Sequence, residues 1–276
     1  MREQQIAGSN CLYGRWSWAA VLRAQERLGR KHMALYPLPA HLWLDHIRCV
    51  GLEPLKRSLT ARQITVSSFH TGKYQYSLFE PGDSLRGSST MRYYKNCVDG
   101  AAALGCTRVC VRPAGSFLDG DPIRAWDVLA ENLSQLCAYA GQRQVRICVQ
   151  TIRPDEGGLL RTVQELERLL ELVPEAWAAL DTVSLSQAGE TIPQWFDRLG
   201  YRIGHVCFWD GRNDGGRIWG EGVYPSRRYL RQLIQSGYEG PVSLCGYTQR
   251  YEQEPEAADT KNLARIQRLL HSLEGD

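Results

Sequence analysis

No stretch of this 276-residue chain approaches the ~18 uninterrupted apolar residues that a membrane-crossing helix needs, which excludes a membrane partner. Lysine is scarce: Lys31, Lys56, Lys73, Lys95 and Lys261 stand far apart, and the other positive charges are scattered arginines. With a net charge of only +3 there is no basic stripe, so nucleic acid is excluded as well, and the charged residues read as solvated helix faces. No Cys-x-x-Cys pair occurs, so no zinc ribbon is indicated. The nine cysteines are an odd set without regular spacing. Cys97, Cys106, Cys110, Cys137 and Cys148 lie in apolar periodic segments and read as reduced packing residues. A Gly-x-Gly-x-x-Gly fingerprint and a P-loop lysine are both missing. The one glycine run placed to cradle phosphate, 211–216, fits neither pattern. The opening Met1-Arg2-Glu3-Gln4-Gln5 lacks the layout of a signal peptide, and the expectation is a cytoplasmic protein.

What is present is an ordinary globular balance, 43% hydrophobic and 23% charged. Strand-like and helix-like runs alternate from end to end. Strands are expected at 6–10, 32–38, 64–71, 108–112, 145–151, 176–182, 203–209 and 241–247. Helices are expected at 16–28, 52–61, 90–104 (capped by Ser88 or Ser89), 122–140 (capped by Asp121), 159–172, 191–199, 224–237 and 259–273. Segment 72–88 reads as a long loop over the molecule. Eight β-then-α units imply a parallel sheet, and eight suggest closure. The fold expected is a single (β/α)8 TIM barrel over 1–276, since such barrels typically take about 250 residues. An open doubly wound sheet is the alternative.

In such a barrel, chemistry gathers on the C-terminal ends of the strands. Four late strands end on Gln150, Asp181, Cys207 and Cys245, only one of them a carboxylate. Asp181 reads as a metal ligand or as a helix N-cap. Cys207 and Cys245 read as thiolate ligands or as packing residues. His205, two residues before Cys207, shares its side of the strand and is a ligand, a substrate contact or a core histidine. Glu156 is a general base, a contact to a substrate hydroxyl or an exposed loop carboxylate. Asp210 and Arg212 at the mouth suit polar substrate groups. Trp209, Trp219, Tyr224 and Tyr247 are candidates for stacking on a sugar face.

Four segments carry a resemblance: 129–137, Trp195-Phe196-Asp197-Arg198-Leu199-Gly200, Gly220-Glu221-Gly222 and Gly237-Tyr238-Glu239-Gly240. With these the chain resembles the xylose-isomerase-like sugar isomerase/epimerase superfamily. Within it, the chain looks most like the fructoselysine 3-epimerases and, at greater distance, the ketohexose 3-epimerases. The resemblance implies a ketose-type carbohydrate substrate, homo-oligomerisation, and one divalent ion, usually Mn²⁺, on a Glu–Asp–His–Glu set. That set falls on Gln150, Asp181, Cys207 and Cys245, so only Asp181 is retained. A further substrate-touching Glu falls on Glu156, a substrate-binding His on Ser184, and an Arg on Asn213 with Arg212 beside it. On this basis Glu156, Gln150 and Cys245 are the catalytic candidates. His205, Trp209, Asp210 and Arg212 are the substrate-binding ones. Asp181, Cys207 and Cys245 are the metal ligands, a set better suited to Zn²⁺ than to Mn²⁺, if any ion binds. The function implied is isomerase/epimerase chemistry. The alternatives are an inactive or repurposed relative (a sugar-binding protein or partner subunit) and a zinc enzyme of other chemistry.

Overall fold

The computed structural model describes residues 3–72, 76–113, 115–116, 119–153, 159–212, 215–244 and 249–274. Eight parallel strands form the barrel wall: β1 (Ile6–Ser9), β2 (His32–Leu35), β3 (Thr65–His70), β4 (Arg108–Val111), β5 (Arg146–Gln150), β6 (Trp177–Asp181), β7 (Ile203–Cys207) and β8 (Val242–Ser243). Each pairs with its neighbours in chain order, and β8 pairs back onto β1, with Ile6 opposite Val242 and Ala7 opposite Ser243. The barrel is therefore closed, as the eight-unit pattern predicts. Around it run α1 (Trp18–Arg27), α2 (Leu52–Ala61), α3 (Leu85–Ala103), α4 (Pro122–Gly141), α5 (Val163–Leu172), α6 (Thr182–Gln187), α7 (Ile192–Leu199), α8 (Ser226–Gln235) and α9 (Pro255–Glu274).

Local chemistry accounts for where the helices start. Ser17, Ser84, Asp121, Thr162 and Thr191 each accept a hydrogen bond from a first-turn amide, and Thr162 and Thr191 complete capping boxes with Glu165 and Gln194. The apolar stripe of α5 (Val163, Leu166, Leu169, Leu170) is buried against the wall.

Three features depart from the sequence expectation. The third helix starts at Leu85, capped by Ser84 rather than by Ser88 or Ser89. Gly87 permits this: a Cβ there would lie 1.8 Å from the carbonyl oxygen of Pro81, so only glycine lets the first turn sit on that chain. The closing helix begins at Pro255, before the expected 259, with proline in its first turn. Two short antiparallel hairpins, Trp43–Leu44 with Cys49–Val50 and Asp210–Arg212 with Gly215–Arg217, stand on the rim, the second occupying the glycine run.

Register determines which side chains meet inside. The β6–β7 pairing slips between Ala178 and Ala179, which sets His205 opposite Ala179 and Cys207 opposite Asp181. Gly204 makes the slip possible, because a Cβ there would stand 3.0 Å from Cys148 Sγ. The inward side chains fall in an upper set at the strand ends, Gln150, Asp181 and Cys207, and a lower set two residues earlier on the same strands, Cys148, Ala179 and His205, with Cys110 opposite Cys148.

Candidate functional site

A cavity of about 560 Å³ opens at the C-terminal rim. Gln150, Asp181 and Trp209 line it from β5, β6 and the turn after β7, and His70 and Arg112 line it from the end of β3 and the residue after β4. Its outer wall is aromatic. Tyr36 stacks on His70 with ring centroids 4.4 Å apart, and Tyr76 stacks on Tyr93 at 4.1 Å. A larger groove of about 730 Å³ lies between α7 and α8, lined by Phe196, Tyr201 and Ile203. Ile203 is the first residue of β7, so that groove sits at the foot of the barrel. The rim cavity, where strand ends converge, is the candidate site.

Asp181 is buried and is the N-cap of α6. Its Oδ1 accepts from Val183 N (2.9 Å), Ser184 N (3.0 Å) and Trp209 Nε1 (3.0 Å), closing the first turn of α6. All three bonds fall on Oδ1, and the residue lines the cavity. Burial raises the Asp181 carboxyl above the usual range, against the Arg112 charge and the three donors. Asp45, on the rim hairpin, also lines the cavity, and it behaves oppositely. Trp43 Nε1 and the amides of Arg48 and Ile47 donate to it and hold its carboxyl below the usual range.

Gln150 Nε2 donates to Cys207 Sγ at 3.1 Å, so two of the four expected ligand positions are engaged with each other. An amide, a thiol and one carboxylate already carrying three N–H bonds do not fit a hard, oxygen-seeking ion such as Mn²⁺. Cys245 and Glu156 lie outside the described residues, as does Tyr247.

The remaining expected site residues separate. Trp209 is held at the cavity by Asp181, by Thr182 Oγ1 (3.0 Å from its N), and by close approach to Gly216. A Cβ on Gly216 would lie 1.5 Å from Trp209 Cζ3. Gly216→Ala is therefore expected to force the indole out, costing about 1–3 kcal/mol of stability. A urea melt alongside ligand affinity measures both effects, and an unshifted midpoint would show that the indole is not fixed this way. Asp210 is not part of the lining. Its Oδ1 accepts from Gly211 N and Tyr224 N, and its Oδ2 from Gly220 N and Gly222 N, all at 2.8–3.0 Å. It organises the loop over the rim. Arg212 is exposed, and its Nε donates to Glu221 O at 3.2 Å. Trp219 packs on Phe208 with centroids 4.4 Å apart and is buried. His205 lies in the lower layer, where its Nε2 is 2.9 Å from Ser243 Oγ. Ser184, on the position of a substrate histidine, is buried, and its Oγ has no hydrogen-bond partner among the described residues.

The sequence reading missed His70, Arg112 and Tyr36. All three sit at the C-terminal ends of expected strands, so the rule applied to the last four strands identifies them once it is applied to β2, β3 and β4 too. Burial, then the Arg112 charge, holds the His70 imidazole down to about 3, well below the ordinary 6.5. The sign follows from linkage. The unfolded chain takes up a proton below pH 6.5 that the folded one refuses, so stability falls as pH drops from 6.5 toward 3. At pH 5 this amounts to about 2 kcal/mol for His70. The stability difference between wild type and His70→Gln, followed by denaturant titration from pH 7.5 to 5, should change by about that amount. A pH-independent difference would contradict it.

A sequence model of the "Xylose isomerase-like TIM barrel" matches residues 22–269. Fructoselysine 3-epimerase of Shigella flexneri is 25% identical over 256 residues, 91% of this chain and 92% of that protein. The crystal structure of D-psicose 3-epimerase with D-tagatose from Clostridium cellulolyticum H10 superposes with a TM-score of 0.76 at 16% identity, covering 96% of this chain and 98% of that one. That of 3-keto-D-glucoside 4-epimerase from E. coli gives 0.76 at 15%, covering 96% and 99%. With a closed eight-strand parallel barrel, its cavity at the strand ends, and a family match across most of its length, the chain belongs to the xylose isomerase-like TIM barrel family.

Proposed function

We propose that the rim cavity binds a ketose-type sugar or sugar derivative and that the protein moves a proton on the carbon next to its carbonyl, in the manner of a sugar isomerase or epimerase. The carrying observation is the Asp181 carboxylate, which lines the cavity with its Oδ1 fixed by three donors. A base needs a positioned oxygen and a carboxyl held above its ordinary range, and Asp181 has both. Asp45, held low, is the weaker base and suits a contact to a sugar hydroxyl. The stacked tyrosines and Trp209 suit the apolar face of a sugar. The positive charge of Arg112, near both Asp181 and His70, suits the oxygen on which negative charge develops. The names of the relatives as 3-epimerases of a fructosyl-amine and of ketoses support the substrate class.

The lining favours one kind of proton movement. Inverting a carbon requires a group on each face of the substrate, and Gln150 cannot accept a proton. A single base that takes a proton and returns it to the neighbouring carbon suffices to move the carbonyl. Among the described residues this fits Asp181 best. The Gln150–Cys207 hydrogen bond supports a second reading, in which the cavity binds the sugar without turning it over.

The test is solvent-deuterium incorporation. The full chain is incubated in D₂O with a panel of ketoses and fructosyl-amines, with and without added Mn²⁺, and followed by NMR beside a direct binding titration. Incorporation next to the carbonyl, unaffected by Mn²⁺, supports the first reading. Binding without incorporation supports the second, and no binding by any member of the panel overturns both.

A further inference from the structure

We propose that His70, Cys110 and His205 form a binding site inside the barrel for one divalent ion of the zinc class, one layer beneath the ring that the resemblance points to. The three come from β3, β4 and β7, whereas Gln150, Asp181 and Cys207 of the expected set lie on β5, β6 and β7. Their ligand-capable atoms all lie within 4.8 Å of one another, and all three residues are buried. Cys110 stands opposite Cys148, and His205 opposite Ala179, each two residues below Gln150 and Asp181 on their strands.

Core packing does not account for the arrangement. A buried imidazole ordinarily has both nitrogens satisfied. His205 Nε2 is 2.9 Å from Ser243 Oγ, while its Nδ1 is buried with no hydrogen-bond partner among the described residues. One nitrogen on a hydroxyl and the other bare is the state of a metal-ligating histidine before its ion arrives, the serine fixing tautomer and ring orientation. His70 is oriented in the same manner, by Ser68 Oγ 3.1 Å from its Nε2 and by the Tyr36 ring. The two imidazoles meet with centroids 5.3 Å apart and planes at 71°. Two imidazoles on a tetrahedral ion, with Zn–N bonds of about 2.0–2.1 Å, place their centroids at about that separation. The donor set, two nitrogens and a sulfur, favours zinc and disfavours Mn²⁺. Binding releases the Cys110 thiol proton to solvent, leaving a thiolate on the ion. His70 also lines the rim cavity, which gives the ion its way in and its fourth, cavity-side position. The site does not rest on the ketose reading.

The experiment uses the tag-free full chain, stripped with chelator and reloaded with Zn²⁺ or Co²⁺. The expected result is about one zinc per chain and a thiolate-to-cobalt charge-transfer band. Cys110→Ser should lose the band and bind zinc at least 10–100-fold more weakly. Cys207→Ser and Asp181→Asn should keep both signals, which separates this site from the expected ring. X-ray absorption of the zinc-loaded wild type should show two imidazoles and one sulfur, and it decides the matter should Cys110→Ser fail to fold. A chain that retains no zinc, a band that survives Cys110→Ser, or a first shell without sulfur overturns the proposal.

Discussion

Asp259→Ala should lower the unfolding free energy by about 3–5 kcal/mol, the largest stability loss expected of any single substitution considered for this chain. Asp259 lies in α9, and Arg30 in the turn between α1 and β2, at the opposite end of the sequence. Arg30 Nη1 is 3.5 Å from Asp259 Oδ1, with side chains 3% and 1% exposed. The Tyr13 hydroxyl donates to Oδ2 at 3.0 Å. The pair sits directly behind β1, where a Cβ on Gly8 would stand 2.0 Å from Gln25 Oε1 and 2.8 Å from Arg30. It thus ties the first strand to the last helix across the seam where β8 closes on β1. Burial raises the Asp259 carboxyl and the Arg30 charge opposes that rise. Removing the carboxylate strands a buried guanidinium. Replacing both partners, as in Arg30→Met with Asp259→Leu, removes the two charges together and should recover much of the loss. Chemical denaturation of the two single variants and the double variant tests this. A loss below 1 kcal/mol in Asp259→Ala would show that the pair does not secure the seam.

Asp181→Asn should reduce proton transfer by 10²–10⁴-fold while leaving the fold intact. The two halves of that expectation separate base from cap. Asparagine caps helices about as well as aspartate does. Its Oδ1 can still accept from Val183 N, Ser184 N and Trp209 Nε1, so α6 and the indole should stay in place. What is lost is the oxygen that takes the proton. Asp181→Ala should in addition lose about 1 kcal/mol or more through the missing cap. Turnover and melting measured together on both variants read the difference. Full activity in Asp181→Asn would assign the proton to another group.

The barrel was legible because eight apolar runs alternate with eight helical ones, and closure follows from that count. Asp181 was legible in position but not in environment. The next six residues, Thr182–Gln187, form a helix too short to show a period; Thr182 reads as the last residue of a strand, and 183–187 carry no expected element. Asp210 shows the same limit. Its four amide partners come from 211–224, contacts that no local pattern encodes. The sign was in the glycines, since a Cβ on Gly222 would lie 2.1 Å from Asp210 Oδ1. Cys110 reads as a packing residue by every local criterion. Only the register of β4 and β7 brings its sulfur beside two imidazoles.

The most direct measurement is a crystal structure of the full chain soaked with a ketose at saturating concentration. The sugar is expected in the rim cavity, its carbonyl-bearing end beside the Asp181 carboxylate and one face against Trp209 or the tyrosine stack. A sugar bound in the groove between α7 and α8, or none in the rim cavity at saturation, would contradict it.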